Sequence, residues 1–367
     1  MNKSRAIYFY QYLPPWRIDV FNEIGKYFDL TIVFTNSECE GFTYNRQELL
    51  DQLVGVKTIF LNNGFKIGKR PVRFGIFKLL KTIRPDVVFA HEYAPTSVLL
   101  SIYRQLRLQR FKYFITTSDN LQIAQSCHGL RSSMRRYILT HADGIIVYSK
   151  SVEDWYKQQF PWLKTGICPN IQNPNTLLAY RKQFAPIIQR FQNVFKLGDS
   201  PIILYIGRLV QVKGLDLLID AFSKTDDYKY KLVIVGEGNE KESLIKIVQE
   251  KNLQNRIVFA GFYTGVELYA WYDMANFFVL PSRYEPFGAV VNEALVYGCP
   301  VLASKYIGAI DFINESNGLV FDPLNDTEFV NYLQLAMGKY ISRKDSRENL
   351  MLYSFDEYVG VFRQITQ

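Results

Sequence analysis

The segment Ile202-Ile203-Leu204-Tyr205-Ile206-Gly207-Arg208-Leu209-Val210-Gln211-Val212-Lys213-Gly214 spells a strand, a turn and the start of a helix. Five apolar residues without alternation predict a strand covered on both faces, as in a parallel sheet. The strand stops at Gly207, and Leu215, Leu218, Ile219 and Phe222 then fall at the i, i+3, i+4, i+7 spacing of a half-buried helix. Arg208 and Lys213 therefore share one strand-to-helix turn, at the sheet end where ligands of such folds bind. An Arg fork and a mobile Lys ammonium suit a diphosphate, although two surface cations capping a loop would read the same way. No G-x-x-x-x-G-K-[ST] phosphate loop occurs.

Comparable apolar runs recur on both sides of this segment. Before it stand Ala6–Tyr10, Leu30–Phe34, Lys57–Leu61, Val87–Ala90, Tyr113–Thr117 and Gly144–Tyr148; after it, Leu232–Val235, Ile257–Ala260, Phe277–Leu280, Val301–Ala303 and Leu319–Phe321. Helical patterns separate them, so each series predicts a doubly wound α/β sheet. With 367 residues the chain is long for one core. Pro169-Asn170-Ile171-Gln172-Asn173-Pro174-Asn175, dense in turn formers, predicts a linker. The expected organisation is one Rossmann-like domain over 1–172, a second over 173–353, and a tail helix over 354–367 with Tyr358, Val361, Phe362 and Ile365 on one face. Two such domains in tandem would leave a cleft between their facing strand ends.

A second informative segment is Pro281-Ser282-Arg283-Tyr284-Glu285-Pro286-Phe287-Gly288-Ala289-Val290-Val291-Asn292-Glu293-Ala294-Leu295. The run before it feeds a turn holding Pro286 and Gly288, then a helix that Gly298-Cys299-Pro300 stops. The first N–H groups of that helix, at Gly288, Ala289 and Val290, can hold anionic or hydroxyl oxygens. Glu285 lies just before the helix, and Glu293, more than one turn inside, leans back over the small Ala289. Two carboxylates at different depths of one pocket can each accept hydrogen bonds from a pair of sugar hydroxyls. For Glu285, an acidic residue favoured by the helix macrodipole is an equally ordinary explanation.

Bulk composition narrows the class. The 48% apolar content fits a globular protein. No apolar run approaches the roughly 20 residues of a membrane-spanning helix, and the opening residues lead into a strand-like run, not a signal-peptide core. Cys39, Cys127, Cys168 and Cys299 lack metal or redox spacing and read as free thiols in a reducing cytoplasm; three histidines are too few for a histidine-built metal centre. Net charge is +10 over residues 1–180 and −2 over the remainder. A basic half suggests an anionic partner, such as a membrane surface or a phosphate-bearing acceptor, or is simply a solvated basic surface. Its densest part is Lys66, Lys69, Arg70, Arg73, Lys78, Lys81 and Arg84, interleaved with apolar residues, and shorter sets occur at Arg104, Arg107, Arg110 and at Arg131, Arg135, Arg136. Basic-apolar helices of this kind suit an anionic membrane surface.

The spacing Gly207-Arg208…Lys213-Gly214, Glu285-x7-Glu293, Pro281-Ser282, Gly298-Cys299-Pro300-Val301 and Gly236-Glu237-Gly238 resembles the signature of retaining glycosyltransferases of the two-domain GT-B fold, family four. The resemblance is close from Pro201 to Phe321 and looser before it, at Ala142-Asp143-Gly144-Ile145-Ile146…Ser149 and Pro169-Asn170. It implies that Arg208 and Lys213 bind the donor diphosphate and stabilise its developing charge. It places Glu293 on the ribose hydroxyls and Glu285 on those of the transferred sugar. Gly207 and the backbone at Phe287, Gly288, Ala289 and Val290 would complete the cradle, and the base would lie near Gly236–Gly238 and Gly261-Phe262. The tail helix would cross back onto the N-terminal domain.

The N-terminal half departs from that pattern. Many relatives carry a Gly-Gly pair after the first strand, where this chain has Gln11-Tyr12-Leu13-Pro14-Pro15-Trp16-Arg17. Arg17 is a candidate acceptor-side contact in its place. Relatives often have a histidine in the cleft after a middle strand; here Ser118-Asp119 stands there, while His91 follows another strand. Asp119 is a candidate catalytic residue and His91 a candidate acceptor-side one, each with an ordinary structural explanation as well. The resulting expectation is a metal-independent enzyme without a resident cofactor. It would move a sugar from a nucleoside diphosphate, UDP before GDP, to a glycan or lipid-linked acceptor. It would sit in the cytoplasm, peripheral on the inner face of the membrane. An epimerase or hydrolase of similar fold, or a non-catalytic partner of a glycosyltransferase, is the alternative. Nucleic-acid binding has no motif to support it.

Overall fold

The computed structural model describes residues 3–36, 45–68, 70–225, 227, 229–342 and 347–367. Cys39 and Lys69 lie outside the described residues. The chain divides into two compact units: Met1–Ile171 with Ser354–Gln367, and Gln172–Tyr353.

In the first unit the mostly apolar runs form β1 (Arg5–Tyr10), β2 (Asp29–Phe34), β3 (Val56–Phe60), β6 (Val87–His91), β7 (Lys112–Thr116) and β8 (Gly144–Val147), joined by β9 (Lys164–Ile167). They pair in parallel in the order β3-β2-β1-β6-β7-β8-β9. Every residue of β1 after Arg5 is buried, as a strand covered on both faces requires. One face packs Ile7, Phe9, Val88, Ile115 and Ile145 against helix residues such as Leu80, Leu100 and Ile138. Strand order reverses between β1 and β6, which opens a crevice at their carboxyl ends.

The second unit has β10 (Ile202–Ile206), β11 (Lys231–Val235), β12 (Ile257–Gly261), β13 (Phe277–Leu280), β14 (Val301–Ser304) and β15 (Gly318–Phe321). Their order is β12-β11-β10-β13-β14-β15, all parallel, with the reversal between β10 and β13. All six occupy the positions that the apolar runs predict. The stretch Pro174–Val194 also belongs to this unit, as two helices joined by a 3-10 turn.

Two features differ from the sequence expectation. The basic-apolar run from Lys66 is not helical at its start. β4 (Gly64–Ile67) and β5 (Arg70–Arg73) pair as an antiparallel hairpin, and among the described residues of this run the helix is confined to Ile76–Ile83. Pro71 and the left-handed Gly68 and Gly75 stop a helix from running through. At Gly64 a Cβ would sit 2.0 Å from the Val72 carbonyl oxygen, so the hairpin closes backbone on backbone. Phe65, Ile67 and Phe74 are exposed on it.

The other difference is β9, whose sequence Lys164-Thr165-Gly166-Ile167 carries no apolar run. It is an edge strand, and Gly166 leaves room for Val361, whose methyl carbon would lie 2.3 Å from a Cβ there. Val361 belongs to the helix Phe355–Gln364, opened by a Ser354–Glu357 capping box. That helix buries Phe355, Val359 and Phe362, while Tyr358 and Val361 are half-buried, a small rotation from the predicted face. The Phe362 ring lies 5.9 Å from that of Tyr8 and 5.1 Å from that of Phe89. The tail helix is therefore part of the first unit's core. Phe362→Ala should destabilise the first unit by about 3–5 kcal/mol, the usual cost of emptying a buried aromatic site. Urea unfolding followed by fluorescence checks this, and a loss below about 1 kcal/mol would contradict the core assignment.

Candidate active site

The loops that leave β10, β11 and β12 lie against one another at the carboxyl edge of the second sheet. Gly207 N–H donates to the Val235 carbonyl, Leu209 N–H to that of Glu237 and Gly236 N–H to that of Gly261. This contact needs residues without side chains. A Cβ on Gly236, at φ +148°, would sit 1.9 Å from the Gly207 carbonyl oxygen, and one on Gly238 would sit 2.1 Å from that of Leu209. Phe262, next in the chain after β12, is 69% exposed, a flat apolar surface beside this backbone edge.

Across the β10/β13 reversal the two cited segments meet. Gly214 is left-handed, and its missing Cβ lets the Arg208–Lys213 turn rest on the Pro281 carbonyl. Arg283 fastens the two loops, with both terminal nitrogens 2.6 Å from the Asp216 carboxylate and Nη1 also donating to the Gln211 carbonyl. The Glu285–Phe287 turn is held from its other side. Glu285 N–H donates to Tyr306, Gly308 N–H to Glu285 and Ala309 N–H to Phe287. Gly288, at φ +95°, then turns the chain into the helix Ala289–Val296.

Three of the four predicted charged side chains are engaged. Lys213 and Glu285 form an ion pair, each side chain only 14% exposed. Glu293 accepts hydrogen bonds from Gln172 Nε2 at 2.9 Å and from the Tyr272 hydroxyl at 3.0 Å. Burial pushes its carboxyl up to about 7, against the pull of those two donors. Arg208 is exposed, and its carbonyl accepts from the buried Tyr205 hydroxyl. Gly207, Arg208, Lys213, Gly236, Gly261, Phe262, Glu285, Phe287, Gly288, Ala289, Val290 and Glu293 all belong to this one unit, on loops at one sheet edge or on the helix that begins there. Sequence reasoning missed Gln172, Tyr272, the Asp216–Arg283 clamp and the 306–309 support.

The N-terminal candidates sit in the first unit. Arg17 is 1% exposed, so it is an interior cation and not a displayed contact. Its Nη1 lies 3.3 Å from the Pro169 carbonyl and its guanidinium 5.8 Å from the Tyr148 ring centre. The His91 ring stacks on Tyr10 with centres 4.1 Å apart, and its Nδ1 lies 3.0 Å from the Thr116 hydroxyl. Burial lowers its pKa to about 4, so the ring is neutral at pH 7. Asp119 is buried and paired with Arg135 at 2.8 Å. Burial, then the charge of Glu92, raises its carboxyl, with Arg135 opposing. Glu92, absent from the sequence expectation, adopts φ +65° beside it.

Residues 187–350 match the family model described as Glycosyl transferases group 1. The matched segment lies within the second unit and includes the loops after β10, β11, β12 and β13. An uncharacterized glycosyltransferase of Methanocaldococcus jannaschii is 38% identical over 176 residues, covering 45% of each chain. An O-antigen biosynthesis glycosyltransferase of Escherichia coli is 27% identical over 195 residues, covering 53% of this chain and 52% of that one. The chain thus spans about half the length of these curated relatives. Anabaena HepE, solved in complex with UDP, superimposes with a TM-score of 0.68 over 99% of this chain and 96% of that one, at 17% identity. The likeness is one of fold, that of the GT-B glycosyltransferases with two Rossmann-like sheets.

The raised Glu293 pKa has a stability consequence. Because the folded carboxyl holds its proton more tightly than the unfolded one, its contribution costs nothing below about pH 4.5. The cost grows as pH rises from there and levels off above about pH 7. Glu293→Gln removes this cost, since the Tyr272 hydroxyl can turn to accept from the new amide. Relative to wild type, the variant should gain about 1–2 kcal/mol between pH 5 and pH 8.5, read from denaturation midpoints at both values. A difference that does not change with pH would refute the assignment.

Proposed function

We propose that the chain is a retaining glycosyltransferase that moves a sugar from a nucleoside diphosphate, with UDP as the carrier, to a glycan or lipid-linked glycan. The observation that carries this reading is the meeting of Arg208, Lys213, Glu285 and the start of the Ala289–Val296 helix at the β10/β13 reversal. Breaking the bond between the anomeric carbon and the diphosphate leaves negative charge on the departing oxygens. Arg208, Lys213 and the N–H groups of Ala289 and Val290 are the groups that meet it, and preorganised donors of this kind are worth several kcal/mol. Glu285, already on Lys213, would accept hydroxyls of the transferred sugar, and Glu293 those of the ribose. Phe262 and the glycine backbone at 236–238 and 261 would flank the base. The acceptor oxygen then bonds to the anomeric carbon and passes its proton to an oxygen of the departing diphosphate. The E. coli relative's role in O-antigen biosynthesis supports placing the activity in polysaccharide or glycolipid assembly.

No divalent metal is needed on this reading, because Arg208 and Lys213 stand where the charge appears and the sequence contains no Asp-x-Asp. Arg208→Ala should lower turnover by roughly 10²–10³-fold, while wild-type transfer from UDP-sugars should continue at near-normal rate in excess EDTA. Activity that EDTA abolishes and Mn²⁺ or Mg²⁺ restores, or that survives Arg208→Ala, would overturn it.

We also assign the β4–β5 hairpin to attachment at an anionic membrane surface. Among the described residues no helix is long and apolar enough to cross a membrane. The hairpin and its flank instead present Phe65, Ile67 and Phe74 among cationic residues. Flotation with anionic liposomes should be strong at low salt and lost at about 0.5 M salt, where the Debye length falls to a few Å. Equal binding to neutral and anionic liposomes, or to neither, would sink the assignment.

A further inference from the structure

The first sheet has its own crevice, where the strand order reverses between β1 and β6, and a cavity of about 740 Å³ lies there. Loop residues after β1, β6 and β7 (Gln11, Glu92 and Asp119) form its floor. One wall is the helix Leu130–Thr140 and the turn before it.

The charge on this lining is not balanced. Three arginines, Arg70, Arg131 and Arg135, face two carboxylates. Both carboxylates are already occupied. Glu92 accepts from Ser118 N–H at 2.8 Å, from the Ser118 hydroxyl at 2.6 Å and from the Thr117 hydroxyl at 3.2 Å. Asp119 holds Arg135, whose guanidinium is buried, lies 4.7 Å from the Tyr93 ring centre and donates also to the Ala124 carbonyl. Arg135 Nε has no hydrogen-bond partner among the described residues. Arg70 donates to the Tyr93 carbonyl, which does not neutralise it, and both Arg70 and Arg131 are exposed. Among the described residues neither forms an ion pair. The helix Leu130–Thr140 adds to this. Its Gly129 cap offers no side chain, and its first turn holds no acid.

We propose that this cavity binds the phosphate group of a phosphorylated acceptor, with Arg70 and Arg131 as the cations that meet it. Arginine suits the task because its planar donor fork matches phosphate oxygens two at a time. Arg135, fixed by Asp119, is the rigid part of the wall. Leu130, 90% exposed, and Ile123 stand on the same lining, so a phosphate with an apolar chain fits as well as a sugar phosphate. The phosphate chemistry is common to both. Only the word acceptor rests on the transfer reading above.

Calorimetric titration tests binding without any need for turnover. The probes are glucose 6-phosphate against methyl glucoside, and farnesyl phosphate against farnesol. At least one phosphate should bind about tenfold or more tightly than its neutral counterpart, and Arg131→Ala or Arg70→Ala should remove most of that preference. Arg131→Lys should keep part of it, and Arg208→Ala should leave it unchanged. The tighter of the two phosphates names the source. Equal affinity for charged and neutral probes overturns the proposal, as does a preference lost in Arg208→Ala but kept in Arg131→Ala. An Arg131-dependent phosphate site in a protein that transfers no sugar would instead retire the transferase reading and leave the site standing.

Discussion

Backbone lying directly on backbone is the constraint on which the second unit's site depends. Gly214 against the Pro281 carbonyl, and Gly236 and Gly238 against the carbonyls of Gly207 and Leu209, leave no space for a single Cβ. These contacts set how closely the loops after β10, β11 and β13 approach. The distance at which Lys213 meets Glu285 follows from them, as does the register of the Arg283–Asp216 clamp. A loop edge free of side chains also presents amide hydrogens and carbonyl oxygens at fixed positions, which a polar ligand can use without waiting for rotamers to settle.

The two carboxylates of the spacing Glu285-x7-Glu293 live under different electrostatic conditions. Glu285 has a lysine against it. Among the described residues Glu293 has neutral donors alone, Gln172 and Tyr272, so its charge is compensated by hydrogen bonds and opposed by burial. A ligand hydroxyl donating to Glu293 would therefore add what the site lacks. One arriving at Glu285 enters an ion pair that is already satisfied.

What could be read from the sequence divides along physical lines. The four inner strands of the second sheet were legible because they are buried on both faces and therefore apolar, and the half-buried edge strands β12 and β15 keep the same apolar composition. β9 was not, since an edge strand that packs under a helix through Gly166 needs neither hydrophobicity nor alternation. The hairpin at 64–73 hid behind cations that suggested a helix, although Gly68, Pro71 and Gly75 stood in the text. In the site, short-range geometry was readable: a turn carrying Arg208 and Lys213, and a helix start at Gly288. The partners of Glu293 were not, because Gln172 is 121 residues away and Tyr272 belongs to a different helix. Nothing local marks a side chain whose purpose is set by a neighbour that distant. The burial of Arg17 was equally hidden, since a cation on a loop reads as displayed, whereas this one is an interior group among tyrosines.

The helix Phe355–Gln364 completes a core whose other members lie before residue 172. During synthesis the ribosome emits the whole of Gln172–Tyr353 before that last piece of the first unit appears. The second unit is a continuous stretch of chain and can finish folding as it emerges. The first must wait, with the ground around Tyr8 and Phe89 uncovered, for a segment made hundreds of codons later. The second unit's chain is thus complete before the first unit's, and the apolar surface around Tyr8 and Phe89 lacks its cover until the tail helix has been made.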